Sequence, residues 1–180
     1  METRIDSKQE KTKVLKMFYG YKAHLAVDTE QGLIAACSVS AGNTADINAG
    51  EDLIMDKLLT DDQPEVEWLT ADKAYGSGIL IGLLEKTKGV QTAFSLNSQF
   101  LKGGHREYWK QYLSDSTRTQ VRRKRSTVER VNADLKNNHG LRKSRYLGQT
   151  KYSLQLLMTA MVHNLKILVK GVAGVRFRPI

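Results

Sequence analysis

Residues 21–28 (YKAHLAVD) place Tyr21, Ala23, Leu25 and Val27 at every second position, the period of a strand with one buried face. A second run, Leu33–Ser40, is rich in small and β-branched residues, and only Thr29-Glu30-Gln31-Gly32 separates the two. Strands joined by so short a glycine-containing link must run antiparallel, so the spacing predicts a hairpin. His24 falls on the face opposite the apolar set, an exposed or cross-strand pairing position. This hairpin constrains everything downstream, because later elements must pack on its one apolar face.

The chain after the hairpin alternates. Asn43 or Thr44 can cap a helix running to about Leu59, with Asp46 in its first turn and Ile47, Leu53, Ile54, Leu58 and Leu59 near one side. Asp61-Asp62-Gln63-Pro64 ends it. Val66–Ala71 is a short apolar strand leading into Asp72. Gly76–Lys88 reads as a helix with Ile79, Leu80, Leu83 and Leu84 inward, and Val90–Leu96 as another strand. Residues 97–115 form a polar connection carrying Tyr108, Trp109 and Tyr112, aromatics that could stack on bases but more commonly anchor a loop. A long helix is expected over 118–138, with Gly140 as its C-terminal stop. A last helix over 150–170 carries Leu154, Leu157, Met158, Met161, Val162, Leu165 and Leu168 at helical spacing, a stripe expected in the core. Residues 1–16 are polar and expected to be loose. The order predicts an α/β fold, a mixed sheet with helices packed on it. Three segments follow: a polar N-terminal stretch (1–19), one domain (20–170) and a tail (171–180).

Charge divides the chain. Residues 1–90 hold 10 basic and 15 acidic side chains, whereas residues 91–180 hold 18 basic and 4 acidic. From Arg118 to Arg145 ten Lys/Arg stand against two acids, Glu129 and Asp134. Such a field attracts polyanions, nucleic acid foremost, although a solvated helix face has the same composition. Cys37 is the only cysteine, which excludes an internal disulfide and a cysteine-based zinc site and suits a reducing cytoplasm. The first thirteen residues have no apolar core, so they do not read as a signal peptide. Residues 154–169 are too polar for a membrane span.

Two carboxylates stand out. Asp72 ends a buried strand, where α/β sheets place their active sites, though a lone aspartate there more often caps a helix. Glu129 is one of two acids in the most basic region, with Arg125 four residues before it and Lys136 seven after, on one helical face. It is either a surface acid neutralising arginines or a metal ligand among phosphate-binding cations. Carboxylates from separate elements can hold divalent ions for phosphodiester chemistry. The four histidines show no metal-ligand spacing, and no P-loop, dinucleotide fingerprint, GxSxG or HExxH is present.

Four blocks occur in order: GYKAHLAVD (20–28), AGNTAD (41–46), ADKAYGS (71–77), and Val128-Glu129-Arg130 with Leu135-Lys136. With these the chain resembles the C-terminal part of DDE transposases from bacterial insertion sequences. The resemblance implies an RNase H-like mixed sheet with flanking helices, lacking its first central strand. It implies that Asp72 and Glu129 are catalytic and metal-binding carboxylates for Mg²⁺ or Mn²⁺. The family signature places an arginine four residues before the glutamate and a lysine seven after, matched by Arg125 and Lys136, while Arg122 stands at its tyrosine position. Arg122, Arg125, Arg130 and Lys136 are thereby expected to contact DNA. The implied partners are transposon ends and target DNA, with a homodimer as the working form and no membrane. The family's first carboxylate lies upstream of the GYK strand, where Asp6-Ser7 fits only superficially because no apolar strand surrounds it, so weak or no strand transfer is expected of this chain alone. A basic DNA-binding remnant and an RNase H-like nuclease are the alternatives.

Overall fold

The computed structural model describes residues 2–5, 11–14, 20–60, 66–102 and 104–173. Strands β1 (Glu2–Ile5) and β2 (Lys11–Val14) pair antiparallel, so a segment expected to be loose forms a hairpin. Its alternating Thr3/Ile5 and Thr12/Val14 are favourable strand residues despite the polar composition. Strands β3 (Tyr21–Val27) and β4 (Ile34–Ala41) form the expected antiparallel hairpin, with Gly32 at φ 77° in its turn, a left-handed conformation that glycine adopts without steric cost.

Helix α1 (Asp46–Leu53) continues into a wider π turn over Ile54–Leu58. Its first turn starts later than expected: Ala45, with no side-chain cap, precedes it rather than Asn43 or Thr44. The expected Asp61–Pro64 stop lies outside the described residues. Strands β5 (Trp68–Leu69) and β6 (Gln91–Thr92) are parallel and joined through α2 (Gly78–Thr87), which Ser77 caps by accepting from Leu80 N–H. Backbone bonds from Ala93 to Leu69 and from Ser95 to Ala71 carry the pairing to the residue before Asp72.

The expected polar connection contains helix α3 (Arg106–Ser114). Tyr112 is buried, and its hydroxyl accepts from Phe94 N–H at 2.8 Å, so this aromatic anchors the β6 layer. The expected long helix is two, α4 (Ser116–Lys124) and α5 (Ser126–Asn138), broken at Arg125 by tight i→i+3 bonds, Arg125 N–H to Arg122 O and Val128 N–H to Arg125 O. Ser126 and Thr127 propagate a helix poorly, and Thr127 Oγ1 instead donates to Thr29 O in the β3–β4 turn.

Helix α6 (Gln149–Ala173) runs past its expected end. Its core stripe is not the expected one. Tyr152, Leu156, Ala160 and His163 face the hairpin, while Leu154, Leu157, Met158, Met161, Val162, Leu165 and Leu168 stay 41–61% exposed. Helical spacing establishes that those residues share a side, not which side meets the sheet. The inward side is fixed by polar bonds: the Asn164 amide both accepts from Ile34 N–H (2.8 Å) and donates to Ile34 O (2.9 Å). Ile79 likewise points outward at 83% exposure, and Ile81 takes its place in the core.

Two apolar cores result. One joins the hairpin to α5 and α6 through Ile34, Cys37, Val131, Leu135 and Leu156. The other joins α2, β6 and α3 through Leu80, Ile81, Leu84, Phe94 and Tyr112. The fold is mixed α/β, and among the described residues the strands form three two-stranded ladders rather than one continuous sheet. The physical reason is that no described strand lies between β3 and β5.

Gly50 in α1 packs against the Tyr75 ring, where a Cβ would fall inside the ring's van der Waals envelope. Exposed Gly→Ala changes in helices gain about 1 kcal/mol, but overpacking here costs about 1–3 kcal/mol. Gly50→Ala is therefore expected to lower the urea midpoint; an increase would contradict the packing.

Candidate active site

A cleft of about 1000 Å³ lies between the two cores. Consecutive residues Ala23–Glu30 line one wall and consecutive residues Val66–Asp72 the other. Unbroken runs, rather than alternate residues, mean that the strands present their edges and not one face. Among the described residues β3 pairs only with β4 and β5 only with β6, so the edges without a described partner look into the cleft. Val128 and Glu129 at the start of α5 also line it.

Asp72 follows β5 and opens a short 3₁₀ turn over Lys73–Tyr75, its Oδ1 accepting from Lys73 N–H at 2.7 Å. The capping role weighed for this residue is therefore real, and it occupies only one oxygen. Oδ2 faces Arg125 Nη1 at 3.6 Å. The same guanidinium reaches Glu129 Oε1 through Nη2 at 3.0 Å. Two acids far apart in sequence thus converge on one cation at the wall of the cleft, each about half exposed or more. The placement follows from the helix break. Thr127 is held to the β3–β4 turn, Lys124 pairs with Glu30 (3.2 Å), and Arg125 between them is turned toward Asp72.

The other cations differ in what they are free to do. Arg122 Nη2 donates to Leu113 O (2.6 Å) and Thr119 Oγ1 (2.8 Å), which ties α4 to the end of α3. Arg118 Nη1 donates to Glu85 Oε1 and Thr92 O, both at 2.8 Å, and stacks 4.2 Å over Tyr112. Arg130 and Lys136 are exposed on α5, and Arg142, Lys143 and Arg145 are exposed in the loop after it. Part of the basic sequence is therefore internal scaffolding, which charge counting cannot distinguish.

His24 is buried at 3% exposure, so of the two positions its strand face allows, exposed or paired across the hairpin, it takes the second. Its Nδ1 and Nε2 each lie 2.8 Å from a hydroxyl, Tyr75 Oη and Ser40 Oγ. Hydroxyls can donate or accept, so a neutral ring is satisfied in either tautomer. Burial lowers the His24 pKa, partly offset by Asp46. Burial, with the charges of Asp46 and Asp72, raises that of Tyr75. Lys22 donates to Thr44 O and Asp46 Oδ1, both at 2.8 Å, locking the hairpin to α1. His24 and Tyr75 hold the segment after Asp72 against the hairpin. Sequence gave no signal for that pairing beyond their presence in two of the quoted blocks.

The family model for the transposase DDE domain matches residues 3–165. The chain belongs to the DDE transposase family. No curated protein and no solved structure matches it significantly. Membership supports a role in DNA transposition and recombination, and the family's use of divalent metal directs attention to the oxygen donors of Asp72 and Glu129. Among the described residues, no helix of this transposase domain is long and apolar enough to cross a membrane.

The buried neutral His24 has a pH signature. Its folded pKa lies below the unfolded value of about 6.5, so the unfolded chain binds the proton first. Stability is full above that pH and falls as pH drops toward the folded value. His139, also lowered by burial and by Lys166, acts in the same direction. Replacing His24 with Gln is expected to flatten part of the decline in unfolding free energy between about pH 7 and 5. An unchanged slope would contradict a neutral buried His24.

Proposed function

We propose that this domain carries out metal-dependent phosphodiester cleavage and strand transfer on DNA, with Asp72 and Glu129 as two of the metal ligands. The observation that carries the reading is their convergence, from β5 and α5, on the single Arg125 guanidinium. A position that attracts a fixed cation between two carboxylates suits a hard divalent cation, and the all-oxygen donor set matches Mg²⁺ or Mn²⁺. Such an ion, when bound, activates a water or 3′-hydroxyl nucleophile and stabilises the leaving oxygen.

The residues divide the remaining work. Asp72 and Glu129 would hold the ion, and Asp72 Oδ1 keeps its carboxylate oriented through Lys73 N–H. Arg125 would contact a DNA phosphate beside the ion, joined by Arg130 and Lys136 from the exposed face of α5. Arg122 serves the DNA indirectly, by fixing α4 to α3. Among the described residues no third carboxylate joins the pair. The family's first carboxylate is supplied by an extended segment seated between β3 and β5, whose open edges offer it backbone partners on both sides. Without that segment the domain binds the ion weakly and has little or no strand-transfer activity. Paired transposon ends call for two copies of the domain.

At Mn²⁺ tenfold above its dissociation constant, linkage gives about 1.4 kcal/mol, a rise of roughly 3–6 °C in Tm for a domain of this size. The rise is expected to vanish in Asp72→Asn, which keeps the capping oxygen, and in Glu129→Gln. Arg125→Ala is expected to tighten Mn²⁺ binding, because the competing guanidinium is gone. A Tm indifferent to Mn²⁺, or a shift retained in Asp72→Asn, would replace this reading with metal-independent DNA binding.

A further inference from the structure

A second cluster lies apart from the cleft carboxylates. Asp134 on α5, His139 just after it and His163 on α6 bring one ligand atom each to within 4.8 Å of one another. Asp134 Oδ2 is 3.0 Å from His163 Nδ1 and 3.2 Å from His139 Nε2. A tetrahedral ion with bonds of about 2.0–2.1 Å sets its ligand atoms about 3.3 Å apart, so two of the three edges are already at that spacing. The histidine side chains are only 7% and 9% exposed, and the aspartate 35%.

The surroundings orient these atoms. His163 Nε2–H donates to Gly32 O at 3.1 Å, which leaves Nδ1 with a lone pair aimed at the cluster. Asn138 Nδ2 donates to Asp134 Oδ1 at 2.6 Å, which turns Oδ2 toward the histidines. A ligating histidine with its second nitrogen bonded to a backbone carbonyl, beside a ligating carboxylate with its own donor, is the outer shell that zinc sites display. His139 Nε2 is buried and, although 3.2 Å from Asp134 Oδ2, makes no well-directed hydrogen bond; among the described residues it shares that state with Ser38 Oγ and Arg122 Nη1, but of the three it alone lies in a cluster of ligand atoms. Burying such a group without a well-directed partner is unfavourable, and a bound cation would satisfy it.

We propose that Asp134, His139 and His163 form a Zn²⁺ site that clasps α5 to α6 and, through Gly32, to the β3–β4 turn. Two imidazoles and one carboxylate favour Zn²⁺ over Mg²⁺, which takes oxygen ligands and retains its waters. Three protein ligands leave the fourth position to water on the exposed aspartate side. The role is structural: the clasp fixes the helix whose first turn presents Glu129 to the cleft. The spacing escapes sequence inspection because His163 arrives from a separate helix.

The test uses the full chain stripped with EDTA and titrated with Zn²⁺ in millimolar Mg²⁺, followed by calorimetry. One Zn²⁺ per chain is expected, with Tm raised. His139→Ala, at a helix end and least disruptive to folding, and Asp134→Asn are each expected to weaken binding by at least about tenfold. Asp72→Asn and Glu129→Gln are expected to leave it unchanged. Co²⁺ in the wild-type chain provides a readout independent of any variant: strong visible d–d absorption of a tetrahedral ion is expected. No stoichiometric Zn²⁺ binding, or only the weak bands of six-coordinate Co²⁺, would overturn the site. His163 would then serve only as a hydrogen-bond bridge between Asp134 and the Gly32 carbonyl. Affinity unchanged in His139→Ala would overturn it equally.

Discussion

The open edges of β3 and β5 are the constraint on which this structure turns. Among the described residues each strand has one ladder partner, and the sides without one line the same cleft. Had β3 and β5 paired directly, the cleft would be closed and Asp72 would lie against the hairpin with no room for a ligand. Instead two apolar cores form on either side, and polar contacts span between them. Lys22 binds the start of α1, Lys57 donates to Cys37 O at 3.1 Å, and His24 meets Tyr75. These directional bonds set the width of the cleft, because apolar packing within each core is indifferent to the distance between cores.

Helix α5 turns that frame into a site. Its buried side, Val131 and Leu135, belongs to the hairpin core, so the helix is held rigidly against β3. Its first turn projects past the core edge and carries Glu129 to the cleft. The break between α4 and α5 falls at Arg125, whose guanidinium spans the two acids. A cation between two acids also keeps two like charges from repelling across the cleft.

Much of this was legible in the sequence where local rules decide the outcome. The hairpin, the α2 crossover and the strand that delivers Asp72 follow from periodicity and turn chemistry. The residues expected at the site, Asp72, Glu129 and Arg125, are brought together. What escaped depends on long-range polar contacts. His24 alternates out of the apolar face, yet it is buried because Tyr75 and Ser40 satisfy both ring nitrogens. The outward Leu154–Leu168 stripe was assigned to the core because periodicity cannot choose a side, and the choice is made by Asn164 on Ile34. Arg118 and Arg122 count toward the basic run in the sequence, and their guanidinium groups bond the Thr92 and Leu113 carbonyls. The helix over 106–114 was hidden because its amphipathic pattern is short and built on aromatics rather than aliphatic residues.

The most direct test of a metal centre shared by β5 and α5 is to let the metal report its own neighbours. Fe²⁺ substituted for Mg²⁺ generates hydroxyl radicals with ascorbate and peroxide, and these cut the backbone beside the ion. With Asp72 and Glu129 as joint ligands, two groups of fragments should appear, one ending near residue 72 and one near residue 129, both suppressed by excess Mg²⁺. Cuts confined to one of the two positions, or spread over the chain without Mg²⁺ competition, would contradict a shared centre.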